Sequence, residues 1–249
     1  MVKPFLSGDT LIQLGKWTEK ELDALLRAAA SIPDTGRRIV FLSGHFLDTA
    51  YRESTLTGDS STPEKLVVNL KEVDCFTFID YIEAMRLSSS FDEFVQKLKG
   101  VRYRDGTVSY ENRNHFFTDW STYNAEHVTD STARIGGCRT VIMQKRLNER
   151  EDGSLLLQDI PAKNRNVAFI PSPAVDREII DVLRTGDYLG IYSGISGLDV
   201  SHVGIFIRAG GKIYLRHASS ARRVRKVVDQ EFERYLKSKP GIVVLRPKE

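Results

Sequence analysis

The segment SHVGIFIRAGGKIYLRHASS, residues 201–220, restricts this chain more than any other. Apolar residues alternate with others from Val203 to Ile207 and from Ile213 to Leu215, on either side of Gly210-Gly211. Such a pattern encodes a β-hairpin. A two-residue turn at the glycines sets Ala209 opposite Lys212 and His202 opposite Ser219. His217 is then the diagonal neighbour of His202 on the same sheet face, with a Cα separation of about 7–8 Å. A three-residue turn reverses the parity and puts the two histidines on opposite faces. The turn type therefore decides whether the two imidazoles can work together.

Periodicity organises the rest. Residues 18–30 read as a helix, with Thr18 as N-cap, Glu19 and Glu21 in the first turn, and an apolar stripe of Leu22, Leu25, Leu26 and Ala29. Residues 73–87, 91–99 and 172–183 also read as helices, and 52–64 as a polar loop. Strand patterns fall at 187–193, 201–208, 212–218, 223–228 and 241–245. Helices first and strands later predict an α+β fold. With no internal linker composition, the expectation is one domain over 1–249: a helical part (about 1–99), an insertion (about 100–186) and a β-sheet part (about 187–249).

Composition excludes several function classes. Lys and Arg number 36 against 33 Asp and Glu, a net charge of +3 over 249 residues, far from the basicity of a dedicated nucleic-acid binder. No apolar run approaches the ~18 residues of a membrane-spanning helix. Two cysteines cannot form a disulfide scaffold. With no CxxC, HExxH or short ligand spacing, neither a metal nor a cofactor is expected. Residues 1–20 lack the basic start and apolar core of a secretory signal. The protein is then cytosolic, or an export signal precedes this sequence.

The chemistry centres on KEVDCFTFIDYIEAM. Asp74 as N-cap makes Cys75 the first helical residue, and Phe78, Ile82 and Met85 supply a buried face. A thiol at the positive end of the helix macrodipole is favoured as the thiolate. The competing reading is a small core residue beside Val73 and Phe76. Cys138, in RIGGCRT, has no such setting and reads as incidental. A nucleophilic cysteine needs a base. With His202 and His217 on one face, one imidazole takes the Cys75 proton and the other orients it. Two half-exposed strand histidines are the alternative.

These residues resemble the NlpC/P60 cysteine peptidases. LVVNLKEVDCFTFID, VRYRDGTVSYENRNHFFTDW, TGDYLGIYS, GLDVSHVGIFI and LRHASS together resemble the DUF1460 branch, named N-acetylmuramoyl-L-alanine amidase-like, over about 41–247. The resemblance implies a papain-like α+β core, with a cysteine-bearing helix packed on an antiparallel sheet and a long family-specific insertion. It makes Cys75 the nucleophile, His202 the general base and His217 the orienting residue. Tyr51 resembles the tyrosine of the family's GTPY stretch, whose hydroxyl serves the oxyanion hole, although Asp48-Thr49-Ala50 precedes it here. The residue after the cysteine is Phe76 where simpler members usually have Ser, so any oxyanion contribution there falls to the backbone N–H.

In the RNHFFTDW stretch, Arg113 would bind a stem-peptide carboxylate and Trp120 or Phe117 would pack on a sugar or aliphatic group. The other reading of this stretch is a buried aromatic plug with a satisfied arginine. Asp74, Asn114, His115 and Ser201 complete the candidate substrate contacts, whereas His45 and His127 read as structural or solvated.

The activity implied is hydrolysis of an amide bond in peptidoglycan stem peptides or muropeptides, either γ-D-glutamyl to the third residue, which the superfamily resemblance favours, or muramoyl–L-alanine, as the branch name suggests. It implies a monomer, exported to the periplasm or beyond, with no nucleic-acid partner and no transmembrane segment. Acyl transfer on the same scaffold and a non-catalytic wall-peptide-binding module are the rival readings. An activated thiol separates enzyme from binder. Iodoacetamide at neutral pH should label Cys75 much faster than Cys138, read by peptide mass spectrometry; equal, slow labelling would favour the binder.

Overall fold

The structure, a computed structural model, describes residues 5–7 and 10–249. The chain forms two compact units, one built from the chain up to Arg113 together with Arg216–Asp229, the other from Asn114–Leu215 with Gln230–Glu249.

The first unit begins with β1 (Phe5–Ser7), β2 (Thr10–Gln13), α1 (Glu19–Ala30) and α2 (Thr35–Gly44). It continues through β3 (Ala50–Tyr51), β4 (Leu66–Asn69), β5 (Glu72–Val73), α3 (Cys75–Arg86) and α4 (Phe91–Arg102). Thr18 caps α1 as expected: its Oγ1 accepts the Glu21 N–H at 3.2 Å while Glu21 accepts the Thr18 N–H at 2.8 Å. Helix α2 is invisible to periodicity because its buried stripe is half polar, with Thr35 and Ser43 alternating with Ile39 and Leu42. β2 pairs with β4 in parallel, Ile12 opposite Val68.

Helix α3 lies at the centre of this unit. Every residue from Thr77 to Arg86 is buried, including Asp80, Glu83 and Arg86. Charges taken out of water need partners. Glu83 meets Arg86 at 2.6 Å, and Asp80 accepts from Arg102 Nε at 2.8 Å. Arg102 Nη1 also donates to the Val67 carbonyl at 2.6 Å, tying α4 to β4. The Tyr81 hydroxyl accepts the Asn69 N–H at 2.8 Å. Polar bonds thus hold both ends of β4's path against α3.

The second unit contains α5 (Phe117–Tyr123), β6 (Val128–Asp130), α6 (Thr132–Gly136), β7 (Val141–Leu147) and β8 (Lys163–Pro171). Next come α7 (Arg177–Val182), β9 (Tyr188–Tyr192), β10 (Val200–Ala209) and β11 (Lys212–Ser219), whose residues from Arg216 belong to the first unit. The remaining elements are β12 (Lys226–Glu231), whose residues up to Asp229 belong to the first unit, α8 (Phe232–Leu236) and β13 (Gly241–Pro247). β9 is central and pairs antiparallel with β10 and β13, so that Gly190 faces Val203 on one side and Val243 on the other. β13 continues the ladder to β8, and β8 to β7.

Ile170, Leu189, Ile191, Phe206, Phe232, Ile242 and Val244 form the core of this second unit. A Cβ at Gly190 would stand 2.6 Å from a Phe117 ring carbon and 2.7 Å from Val200 Cγ1, so only glycine lets α5 close on the strands. The β7–β8 hairpin escapes the sequence because β7 is exposed on both faces, Ile142 at 64 %, and shows no alternation. The expected helix over 172–183 is a 3-10 turn at Ser172–Ala174 followed by α7, whose N-cap Asp176 accepts the Ile179 N–H. The fold is mixed α+β.

Replacing Arg102 by Met removes the buried cation facing Asp80. It should cost about 3–5 kcal/mol in denaturant unfolding, and the Asp80→Asn/Arg102→Met pair should recover much of that loss.

Candidate functional site

Asp74 sets the start of α3. Its backbone is extended (φ −94°, ψ −178°). One carboxylate oxygen accepts from the Phe76 N–H at 2.9 Å, the Thr77 N–H at 2.7 Å and the Thr77 hydroxyl at 2.9 Å. The Asp74 N–H in turn donates to Thr77 Oγ1 at 3.0 Å, which closes a capping box. Cys75 is therefore the first helical residue, and its side chain is half-buried. As expected, Asp74 caps α3, and the Phe76 N–H is engaged by that cap. Both cysteines are reduced thiols, and Cys138 is exposed.

Tyr51 reaches the same place through strand pairing. β3 runs parallel to β5 with Tyr51 opposite Val73, two residues before the thiol, and the Arg52 N–H donates to the Val73 carbonyl at 3.0 Å. On its other side the Tyr51 N–H donates to the Arg225 carbonyl at 2.9 Å. The intervening chain is thus closed by two short strands. Burial first, then the charges of the Cys75 thiolate, Glu53 and Asp74, push the Tyr51 phenol up to about 12, with Arg225 opposing them. At neutral pH the hydroxyl remains a hydrogen-bond donor.

His217 belongs to the same unit as Cys75 and Tyr51 and is 3 % exposed. The residue before it anchors the strand. Arg216 reaches both Asp229 oxygens at 2.7 Å, the Ser43 hydroxyl at 3.0 Å and the Val40 carbonyl at 3.1 Å. Bidentate pairing of this kind fixes direction as well as distance.

His202 lies in the second unit, half-buried on β10. Opposite β9 the register shifts between Val200, which faces Tyr192, and His202, which faces Ile191. Ser201 is the extra residue of this β-bulge and is exposed. The turn that follows β10 has the expected form: Gly210 and Gly211 both have positive φ, 57° and 75°, as a two-residue type I′ turn requires. The strands end at Ala209 and resume at Lys212.

Two polar groups that sequence reasoning misses brace the approach to β10. Asp199 is buried and accepts from the Thr118 N–H at 2.7 Å, the Thr118 hydroxyl at 2.8 Å and the Val200 N–H at 2.7 Å. Burial pushes its carboxyl up, and these three bonds oppose the shift. Lys145 Nζ donates to the carbonyls of Ser193, Ile195 and Leu198 at 2.5, 2.8 and 2.7 Å, fastening the loop before Asp199. Asp199 lies within the GLDVSHVGIFI stretch, but nothing local announces its partner Thr118, and Lys145 stands outside every motif.

The RNHFFTDW stretch resolves toward internal structure. Arg113 is ion-paired to buried Glu64 and also donates to the Gly58 carbonyl at 3.0 Å. Its guanidinium lies 5.4 Å over the Tyr110 ring. Trp120 is fully buried, stacked with Phe117 and edge-on to Tyr188 at 5.4 Å. Of the two readings, the aromatic plug and the satisfied arginine describe these side chains, and Trp120 presents no face for a sugar. Asn114 is buried and His115 half-buried. His45 packs edge-on to Trp17 and Phe41, and burial with the nearby Lys16 charge pushes its imidazole down. Among the described residues no group of three or more His, Cys, Asp or Glu is placed to hold a metal ion, and no helix is long and apolar enough to cross a membrane.

Comparison with known proteins identifies relatives of the fold. A Legionella pneumophila structure assigned to DUF1460 shares the fold, with a TM-score of 0.79 at 23 % identity, covering 93 % of this chain and 94 % of its own. A Bacteroides uniformis structure named N-acetylmuramoyl-L-alanine amidase is 28 % identical, with a TM-score of 0.70, covering 86 % of this chain and 99 % of its own. No curated protein matches the chain. The AmiA-like family, N-acetylmuramoyl-L-alanine amidase-like, matches residues 41–242. The chain belongs to that N-acetylmuramoyl-L-alanine amidase-like family.

Proposed function

We propose that this protein is a cysteine hydrolase that cleaves an amide bond of peptidoglycan stem peptides. The observation that carries the reading is the thiol of Cys75 at the capped first residue of α3, with the Tyr51 phenol brought beside it by the β3–β5 pairing. A thiol at a helix N-terminus is the usual setting of a nucleophile, and a phenol held protonated supplies a donor for developing negative charge.

In this reading the Cys75 thiolate attacks the amide carbonyl and the Tyr51 hydroxyl donates to the resulting oxyanion. As the C–N bond breaks, the leaving amine takes its proton from the His202 imidazolium, leaving a thioester on Cys75. Water then attacks the thioester and gives its proton to His202, which releases the carboxylic acid and restores the thiol. His217 holds the base in the required tautomer, the part played by the third member of a catalytic triad. The roles of the two histidines rest on the SHVGIFI and LRHASS motifs and on the resemblance to NlpC/P60 enzymes. No step requires a cofactor.

The bond favoured is muramoyl–L-alanine, because the family description and the Bacteroides uniformis relative both carry that name. The γ-D-glutamyl bond is the second candidate, resting on the NlpC/P60 resemblance. Such a substrate lies outside the cytoplasm, so the reading includes export.

Digestion of purified muropeptides, read by mass spectrometry, tests both the activity and the bond. Muramoyl–L-alanine cleavage releases the intact stem peptide from the sugar, whereas γ-D-glutamyl cleavage leaves a dipeptide on the sugar. Cys75→Ala should lower the rate on the order of 10³-fold or more, and a variant that still cuts at the wild-type rate sinks the mechanism. Tyr51→Phe should lower kcat by roughly 10-fold to 10³-fold, the range for losing one oxyanion donor.

A further inference from the structure

A turn at Ala221–Arg225 follows the strand that carries His217 and presents an unusual concentration of positive charge. ARRVRK, residues 221–226, contains three arginines and a lysine. The turn itself is fixed: the Val224 and Arg225 N–H groups donate to the Ala221 carbonyl at 2.8 and 3.1 Å. Arg222 and Arg223 are exposed and make no ion pair among the described residues. Lys226 is occupied by Asp48 at 2.6 Å.

Arg225 is the informative member. Its φ of +47° lies in the left-handed region, which a bulky side chain rarely adopts. Glycine would fit that backbone without strain. The guanidinium stands 4.6 Å over the Tyr51 ring. Among the described residues its ion-pair partner is Glu53 at 3.1 Å, and Glu53 is itself 68 % exposed. An exposed pair of this kind is weak and screened by salt, so an incoming anion can exchange with Glu53 at little cost. Tyr51 in turn faces Val73, two residues before Cys75.

We infer that Arg225, with Arg222 and Arg223 on the same turn, forms a carboxylate-binding subsite beside the Tyr51 phenol, and that the substrate is an acidic peptide bearing a free carboxylate close to the scissile amide. This rests on the reading of Cys75 as the nucleophile. A planar guanidinium suits bidentate carboxylate recognition. Two further unpaired guanidinium groups would draw an anion toward the site in a salt-dependent way. The subsite acts on selection of the substrate, and Tyr51 and Cys75 act on its chemistry.

The test compares two muropeptides that differ only at the glutamyl α-carboxylate, free in one and amidated in the other. The wild-type protein should show a KM for the acidic form about tenfold below that for the amidated form, the worth of one charge-assisted hydrogen bond. Raising salt should shrink that ratio.

Arg225→Gly keeps the left-handed backbone and removes the guanidinium, and it should bring the KM ratio close to one. Arg225→Lys should restore part of the preference. Arg222→Gln with Arg223→Gln, which leaves Arg225 in place, should lower both the ratio and its salt dependence. Cys75-dependent cleavage of both substrates with no wild-type preference, or with the full preference kept in Arg225→Gly and in the Arg222/Arg223 variant, overturns this inference alone. Absence of Cys75-dependent cleavage of either substrate overturns the hydrolase reading and the inference with it.

Discussion

One carboxylate oxygen of Asp74 fixes the start of the helix that carries Cys75. It takes two backbone N–H groups and a hydroxyl of the first turn of α3, donors that a helix start otherwise leaves unsatisfied. Because α3 is buried from Thr77 onward, its first turn cannot rely on water for those bonds. The cap therefore fixes where the helix begins, and with it the placement of Cys75. The cap also has a chemical consequence. It engages the Phe76 N–H, and in the proposed mechanism the oxyanion donor is the Tyr51 phenol, which the β3–β5 pairing holds near the thiol.

The same economy of polar contacts recurs through both units. In the first, Arg102 links Asp80 of α3 to the Val67 carbonyl of β4, while Arg216 links Asp229 to the Ser43 hydroxyl and the Val40 carbonyl of α2. In the second, Asp199 gathers α5 to the start of β10, and Lys145 gathers three carbonyls of the preceding loop. Buried groups of this kind are weak sources of net stability because desolvation offsets much of their attraction. Their effect is directional. Two of them fix the backbone next to a candidate site residue: Asp199 lies before the bulge at Ser201 and His202, and Arg216 lies before His217.

What was legible in the sequence follows from the range of the interactions involved. Local features were visible: the Thr18 capping box, the Asp74 cap that makes Cys75 the first helical residue, and the Gly210-Gly211 turn with both φ values positive. Each depends on residues a few positions apart, where side-chain chemistry and backbone preference agree. Features held by distant partners were not. Helix α2 hides because Thr35 and Ser43 are buried against other parts of the chain, and β7 hides because its Val141, Ile142 and Met143 face solvent on both sides. The RNHFFTDW stretch shows the limit most clearly. An arginine among aromatics has the composition of a ligand site, yet Glu64, 49 residues earlier, satisfies Arg113, and no local pattern announces that partner.

The contrast between Arg113 and Arg225 explains how a charged side chain can be assigned a role at all. Both guanidinium groups lie over a tyrosine ring and both meet a glutamate. Arg113 faces a carboxylate that is only 2 % exposed and also donates to backbone carbonyls, so removing its partner would leave a buried charge uncompensated. That arrangement does not exchange. Arg225 faces a carboxylate that is 68 % exposed, across a pair that water already competes for. It is also held in a backbone conformation that favours a different residue. The first arginine is committed to the fold, while the second keeps its charge available beside the Tyr51 phenol. Accessibility of the partner, more than the presence of the pair, separates a structural arginine from one that can bind a ligand.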